Sequence, residues 1–253
     1  MLKSAKTLIR RTAEAYLNRK FASKSMQMLF IIGHMRSGSS LLVHILNTNP
    51  EIAGYGETHR LYRDKSDFGK VGLEIYRAFK TLPKKEKYIL DKVLHSYLIK
   101  DENILKDAKI IFLLRCPSES MPSILDIKTE YNPEQTSEYY HDRIERIRLT
   151  ARTIDPEKWM YATYNDLIIS ENKIFGQIEN FLGLNSELSQ EYDTIWSTGV
   201  TGIGDPSKMI EEGKIINKKK PKKIPQTLKP YLGKAQKKYS ECLEELEKIT
   251  TQG

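Results

Sequence analysis

The chain has 253 residues, 39% apolar and 29% charged, which is enough to bury the core of a single α/β domain. Its two cysteines, Cys116 and Cys242, are too few and too far apart for a disulfide framework or a zinc cluster, and no apolar run approaches the ~18 residues of a membrane span. The formal charge of +8 points to anionic ligands, although Lys218, Lys219, Lys220, Lys222 and Lys223 concentrate much of it in one place.

Met1-Leu2-Lys3 leads into a basic stretch with no apolar segment behind it, so the expectation is a chain that is neither secreted nor anchored through a bilayer, in a reducing, cytoplasmic setting. Over residues 1–27, Leu2, Ala5, Ile9, Ala13, Tyr16 and Leu17 alternate at helical spacing with Lys3, Lys6, Arg10, Arg11 and Arg19. This predicts a basic amphipathic helix, packed on its own domain or resting peripherally on a membrane.

Met28-Leu29-Phe30-Ile31-Ile32 is a short continuous apolar run ending in Gly33, the pattern of a strand buried on both faces of a parallel sheet. Ser39 and Ser40 precede Leu41, Leu42, Ile45 and Leu46, which predicts a helix that stops at Asn47-Thr48-Asn49-Pro50. Further strands are expected at Tyr88-Ile89-Leu90, at Lys109 to Leu114 and at Trp159-Met160-Tyr161-Ala162, separated by helical patterns. Pro133 opens a long charged helix to about Thr153, and Ser170 caps another that carries Ile174, Ile178, Phe181 and Leu182 before Gly183. The Gly-, Pro- and Lys-rich stretch from Gly202 to about Pro225 predicts a loop, and a C-terminal helix follows near 226–249. The alternation argues an α/β fold in one domain over 28–253, a central parallel sheet flanked by helices.

Gly33-His34-Met35-Arg36-Ser37-Gly38-Ser39-Ser40 joins a buried strand to a helix, where free backbone N–H groups and the helix dipole favour an anion. Against the nucleotide-hydrolase pattern GxxxxGK[ST], both glycines are correctly spaced but Ser39 occupies the lysine slot. Arg36 supplies a fork of donors suited to one bidentate phosphate or sulfate, Ser39 and Ser40 add short hydroxyl donors, and Ser37 and Gly38 belong to the same cofactor-binding loop. The strand Lys109 to Leu114 ends in Arg115 where a magnesium site would want an acid, so phosphate binding without a metal is expected.

The run Phe30 to Leu42 resembles the 5′-phosphosulfate loop of sulfotransferases that use 3′-phosphoadenosine-5′-phosphosulfate (PAPS), with Met35 at a common proline position. That family carries an arginine at a strand end and a serine eight residues on, matched by Arg115 and Ser123, and the resemblance implies that these two hold the 3′-phosphate. Pro117 suits a helix start with Ser123 two turns along; a lone strand-end arginine is otherwise a surface cation. Ala162 to Leu167 and Phe181-Leu182-Gly183-Leu184 are similar to a further strand end and helix end of the family, which implies that Tyr164 borders the adenine. Thr201 to Lys208 resembles a Gly-Asn-Pro-x-Arg loop in which Lys208 stands for the arginine at the 3′-phosphate and Asp205 for the asparagine. The implied chemistry is transfer of a sulfuryl group from PAPS to an acceptor hydroxyl on a carbohydrate, lipid or other natural product, leaving 3′-phosphoadenosine-5′-phosphate (PAP).

Such a reaction needs fixed cations around the transferring group and a base for the acceptor's proton. Gly54-Tyr55-Gly56-Glu57-Thr58-His59-Arg60 resembles the Gly-Glu-Glu-Thr-Arg stretch of tyrosylprotein sulfotransferases, which implies Glu57 as base, although Gly56 and His59 depart from that pattern. Lys92 resembles the strand-end lysine directed at the leaving oxygen, with pairing to Asp91 or Glu57 on the surface as the alternative. His95, three residues after Lys92, is the second candidate base, since imidazole titrates near neutrality. Two other readings compete: a small-molecule kinase or nucleotide hydrolase, disfavoured by Ser39 and Arg115, and a non-enzymatic binder of anionic surfaces. No aromatic interleaving or recognition-helix pattern supports a nucleic-acid partner.

Overall fold

The computed structural model describes residues 2–195, 198–199, 208–216 and 223–252. In chain order its main elements are α1 (Leu2–Ala22), β1 (Gln27–Gly33), α2 (Ser39–Thr48), β2 (Ile52–Gly54), α3 (Ser66–Phe79), β3 (Tyr88–Val93), β4 (Ala108–Leu114), α4 (Pro117–Ile127), α5 (Pro133–Thr153), β5 (Trp159–Thr163), α6 (Tyr164–Ile169), α7 (Glu171–Leu182), α8 (Lys208–Glu211) and α9 (Lys229–Gln252). The five strands form one parallel sheet in the order β2-β3-β1-β4-β5. The expected α/β architecture is therefore present. The three-residue edge strand β2 is an addition; its sequence Ile52-Ala53-Gly54 is too short to show a period.

Alternation along β1 divides the core. Met28, Phe30 and Ile32 face one side, where Leu17, Phe68, Val71, Met121, Ile144 and Leu246 of α1, α3, α4, α5 and α9 cover them. Leu29 and Ile31 face the other, against Leu42, Ile45 and Leu46 of α2 and Ile174 and Ile178 of α7. Both faces are dry, which is why β1 and β4 read as continuous apolar runs.

Register brings three loop exits together. β1 pairs Phe30 with Asp91 and Ile31 with Lys92 of β3, and Ile32 with Phe112 and Gly33 with Leu113 of β4. The loops leaving Gly33, Val93 and Leu114 thus emerge side by side at the carboxyl edge of the sheet, the usual position for ligands in open α/β folds.

Helix ends follow local chemistry. Asn132 caps α5 in a capping box with Gln135, Pro117 and Pro133 sit in the first turns of α4 and α5, and Gly183 closes α7 at φ 58°. The C-terminal helix starts at Lys229, after a single turn of 3₁₀ helix over Gln226–Leu228. Among the described residues no helix is long and apolar enough to cross a membrane.

Candidate active site

The loop from β1 to α2 is held in an unusual backbone. Arg36 adopts φ 64° and Gly38 φ 94°, the alternation into the left-handed region from which anion nests are built, here at a helix start. Only glycine fits at position 38, since a Cβ there would lie 2.4 Å from Cδ2 of Tyr164. Ser37 is fully buried and is the one buried hydroxyl among the described residues with no protein partner. A cradle with an unsatisfied donor fits an oxyanion.

The residues expected at the 3′-phosphate converge beside this loop. Arg36 Nε donates to Ser123 Oγ at 2.9 Å, across 87 positions of chain. Arg115 Nη1 donates to the Arg36 carbonyl at 3.2 Å, and its guanidinium lies 3.8 Å from the ring centroid of Tyr164. Glu119 accepts from Arg115 Nε at 2.9 Å and orients the fork. Arg36, Arg115, Ser123 and Tyr164 therefore form one patch, with Ser37, Gly38, Ser39 and Ser40 as its neighbours in the loop.

Two groups that sequence reasoning passed over lock this patch in place. His34 is fully buried; its Nε2 accepts from the Arg115 backbone N–H at 3.1 Å, so Nδ1 carries the proton and donates to the Met35 carbonyl at 2.8 Å. Burial lowers its pKa from 6.5 to about 4, against the opposing hydrogen bond to Met35, which keeps the ring neutral. Met35 replaces a proline of the resembled motif, and its N–H is used: it donates to Tyr139 Oη at 2.7 Å, while Tyr139 donates to the Leu94 carbonyl at 2.7 Å. A proline could not make that bond.

Beneath the loop lies Arg143, 1% exposed on α5, donating from Nε to the Gly33 carbonyl at 2.8 Å, from Nη2 to the Val93 carbonyl at 3.1 Å and from Nη1 to Ser96 Oγ at 3.0 Å. Those acceptors are neutral oxygens, so a buried guanidinium ties the ends of β1 and β3 and adds positive potential below the nest. Its sequence signal was its place with Tyr140, Ile144 and Ile147 at i, i+3, i+4 and i+7 spacing on the buried face of α5.

The second half of the site is built on β3. Lys92 Nζ donates to Ser40 Oγ at 3.1 Å and pairs with Glu57 Oε2 at 3.2 Å, with the two side chains 5% and 8% exposed. The pair expected as a surface alternative is thus an interior one that touches the loop between β1 and α2. His59 Nδ1 lies 3.5 Å from Glu57 Oε1. His95 stacks on Tyr97 and packs against Tyr139; burial lowers its pKa, with the Glu57 charge opposing. Glu57 and His95 share one region of the site.

Asp91 organises that half. Its Oδ1 accepts the backbone N–H of Thr58 at 2.9 Å and of Lys92 at 3.0 Å, and its Oδ2 accepts the Thr58 hydroxyl and the Tyr62 hydroxyl, each at 2.6 Å. Burial raises its pKa to about 6 against these bonds. One carboxylate thereby fixes the residue after Glu57 and the backbone of Lys92 together. Its sequence signal was an acid directly after the apolar run Tyr88-Ile89-Leu90; the structure extends that strand through Asp91 and buries every position of it, so the acid must find donors.

The residues 201–207 and the Lys208 side chain lie outside the described residues, as does most of the Lys218–Lys223 cluster; the Lys208 backbone begins the short α8.

Residues 28–95 match the model of the sulfotransferase family. Among solved structures, the sulfotransferase domain from the curacin biosynthetic pathway superposes with a TM-score of 0.58 at 18% identity, covering 82% of this chain and 96% of that one. The fold is a sulfotransferase fold. The sulfotransferase domain of the Synechococcus PCC 7002 olefin synthase matches similarly, with a TM-score of 0.52, 17% identity and coverage of 83% and 94%. No curated protein sequence matches the chain. The match bears out the resemblance to the sulfotransferase family, and the matched segment spans the Gly33–Ser40 loop, Glu57, Lys92 and His95.

Proposed function

We infer that the chain is a sulfotransferase that moves a sulfuryl group from PAPS to an acceptor hydroxyl, without a metal. The observation that carries this reading is the convergence of two cationic half-sites on one loop: Arg36, Ser123 and Arg115 on one side, Lys92 through Ser40 on the other. PAPS presents two phosphates and a sulfate, and supplies the activated sulfuryl group. Ser37 and the nest of N–H groups suit its 5′-phosphosulfate, and Arg115, Ser123 and Arg36 suit the 3′-phosphate. Tyr164 sits under Arg115, where its ring can line an adenine. Lys208 is a further candidate for the 3′-phosphate on its resemblance alone.

In transfer, the acceptor oxygen bonds to sulfur as the sulfur–oxygen bond to the 5′-phosphate breaks, and that oxygen keeps the electron pair. Glu57 takes the proton of the acceptor hydroxyl at a carboxylate oxygen. Lys92, within reach of both Glu57 and the loop, neutralises charge developing on the leaving oxygen. The donor set of guanidinium, ammonium and hydroxyls disfavours the kinase reading, which needs acids to hold magnesium.

The test is differential binding. PAP should raise the melting temperature well above the shift given by AMP at equal concentration, because only PAP carries the 3′-phosphate. Equal shifts would overturn the assignment. Activity surviving a strong chelator would support the metal-free reaction, and loss restored by magnesium would restore the kinase.

A further inference from the structure

α1 is anchored by its second half only. Leu17 is fully buried and lies over Gly72, Asn18 lies over Gly69, Phe21 packs on Phe68 with centroids 5.5 Å apart, and Lys20 Nζ donates to the Lys84 carbonyl at 2.8 Å. The first half has a different character. Residues 7–12 are exposed, and Leu8 and Ile9 keep 66% and 56% of their surface in water, with Tyr16 at 36%.

These exposed side chains are not scattered. At 3.6 residues per turn, Leu8, Ile9, Thr12 and Tyr16 share an arc with positions Leu2 and Ala5 of about 120°, which excludes the anchoring positions Leu17 and Phe21. Positions Lys3, Lys6, Arg10 and Arg11 fall on the remaining arc, and no acidic residue precedes Glu14. An apolar stripe beside a flank that carries Lys3, Lys6, Arg10 and Arg11 against the single acid Glu14, on a helix too polar to span a bilayer, is the pattern of a helix that lies in a lipid interface.

We propose that the first half of α1 docks the protein on an anionic lipid bilayer, with Leu8, Ile9 and Tyr16 entering the acyl boundary and Arg10 and Arg11 among the headgroups. Charge selects this occupant. A second copy of the helix would bring like-charged flanks together, and a nucleic acid would satisfy the basic residues while leaving Leu8 and Ile9 in water. A bilayer bearing anionic headgroups satisfies both arcs. The proposal is independent of the chemistry at the sulfuryl-transfer site.

The full chain is sedimented with vesicles of phosphatidylcholine alone and of phosphatidylcholine with phosphatidylserine. Binding should be about tenfold stronger to the anionic vesicles and fall with added salt. The double variant Leu8→Glu/Ile9→Glu should abolish binding, and Arg10→Glu/Arg11→Glu should remove the preference for phosphatidylserine, while PAP-induced thermal stabilisation stays unchanged because both pairs are exposed and none of the four belongs to the proposed site. Three results would overturn the proposal: no vesicle binding by the unmodified chain, vesicle binding indifferent to Leu8→Glu/Ile9→Glu, or self-association in solution that this double variant abolishes. Salt-sensitive capture of duplex DNA that survives Leu8→Glu/Ile9→Glu, without vesicle binding, would assign the basic arc to nucleic acid instead.

Discussion

The two halves of the site are held in different ways. On the donor side, Arg36, Ser123, Arg115 and Tyr164 touch one another directly, and their supports His34 and Tyr139 are neutral side chains bonded to backbone. On the acceptor side, Glu57, Lys92 and Asp91 are charged, almost fully buried, and linked through Thr58 and Ser40. A phosphate site works by fixed donors and tolerates being rigid. A base must lose and gain a proton, and under the proposed function the half that holds Glu57 is built from titratable groups whose positions depend on their neighbours' charges.

That contrast can be broken most sharply at Glu57. Glu57→Gln keeps the shape of the side chain and removes its proton affinity, so turnover should fall about 10²- to 10⁴-fold, roughly 3–5 kcal/mol of barrier, with PAP affinity by calorimetry nearly unchanged. His95→Asn should cost far less; the reverse order would move the base to His95.

On the donor side, Arg115→Ala should weaken PAP by about 2–3 kcal/mol, roughly 30- to 150-fold in Kd, and leave AMP affinity little changed. A uniform loss for both nucleotides would show that Arg115 acts on the fold of the loop and not on the 3′-phosphate.

Asp91→Asn tests whether the acceptor half depends on a charge that never meets the substrate. Thr58 and Lys92 would keep an oxygen acceptor but lose the charged one, and kcat should fall about tenfold while Kd for PAP stays within about twofold. An equal loss in both would make Asp91 a residue of the general scaffold.

The remaining test is a pH dependence from the donor side. A free histidine titrates near 6.5, whereas His34 is held neutral down to about 4. Between those values the unfolded chain binds a proton that the folded chain does not, so this contribution is present above about pH 6.5 and is lost as pH falls. His34→Gln removes it, and the deficit of the variant measured by denaturant unfolding at pH 7 should shrink by about 2 kcal/mol at pH 5. Asp91 has the opposite sign, since its raised pKa favours the folded state as pH falls towards 4, so the variant isolates one term from the other.

Much of this was readable in the chain. The apolar runs of β1 and β4 and the Gly33–Ser40 loop carry their own signal, because a strand buried on both faces has no polar positions and a phosphate cradle needs small residues at close spacing. Arg115 and Ser123 are also local to one strand end and one helix, so their relation to each other is set by helical geometry. The pairings are not local. Arg36 meets Ser123, Lys92 meets Glu57 and Ser40, and Arg143 reaches Gly33 across 110 positions only because the strand order β3-β1-β4 places three loop exits side by side. Sequence spacing nominated the charged groups; packing decided which of them lost water together, and a charge removed from water is defined by its partners rather than by its position in the chain.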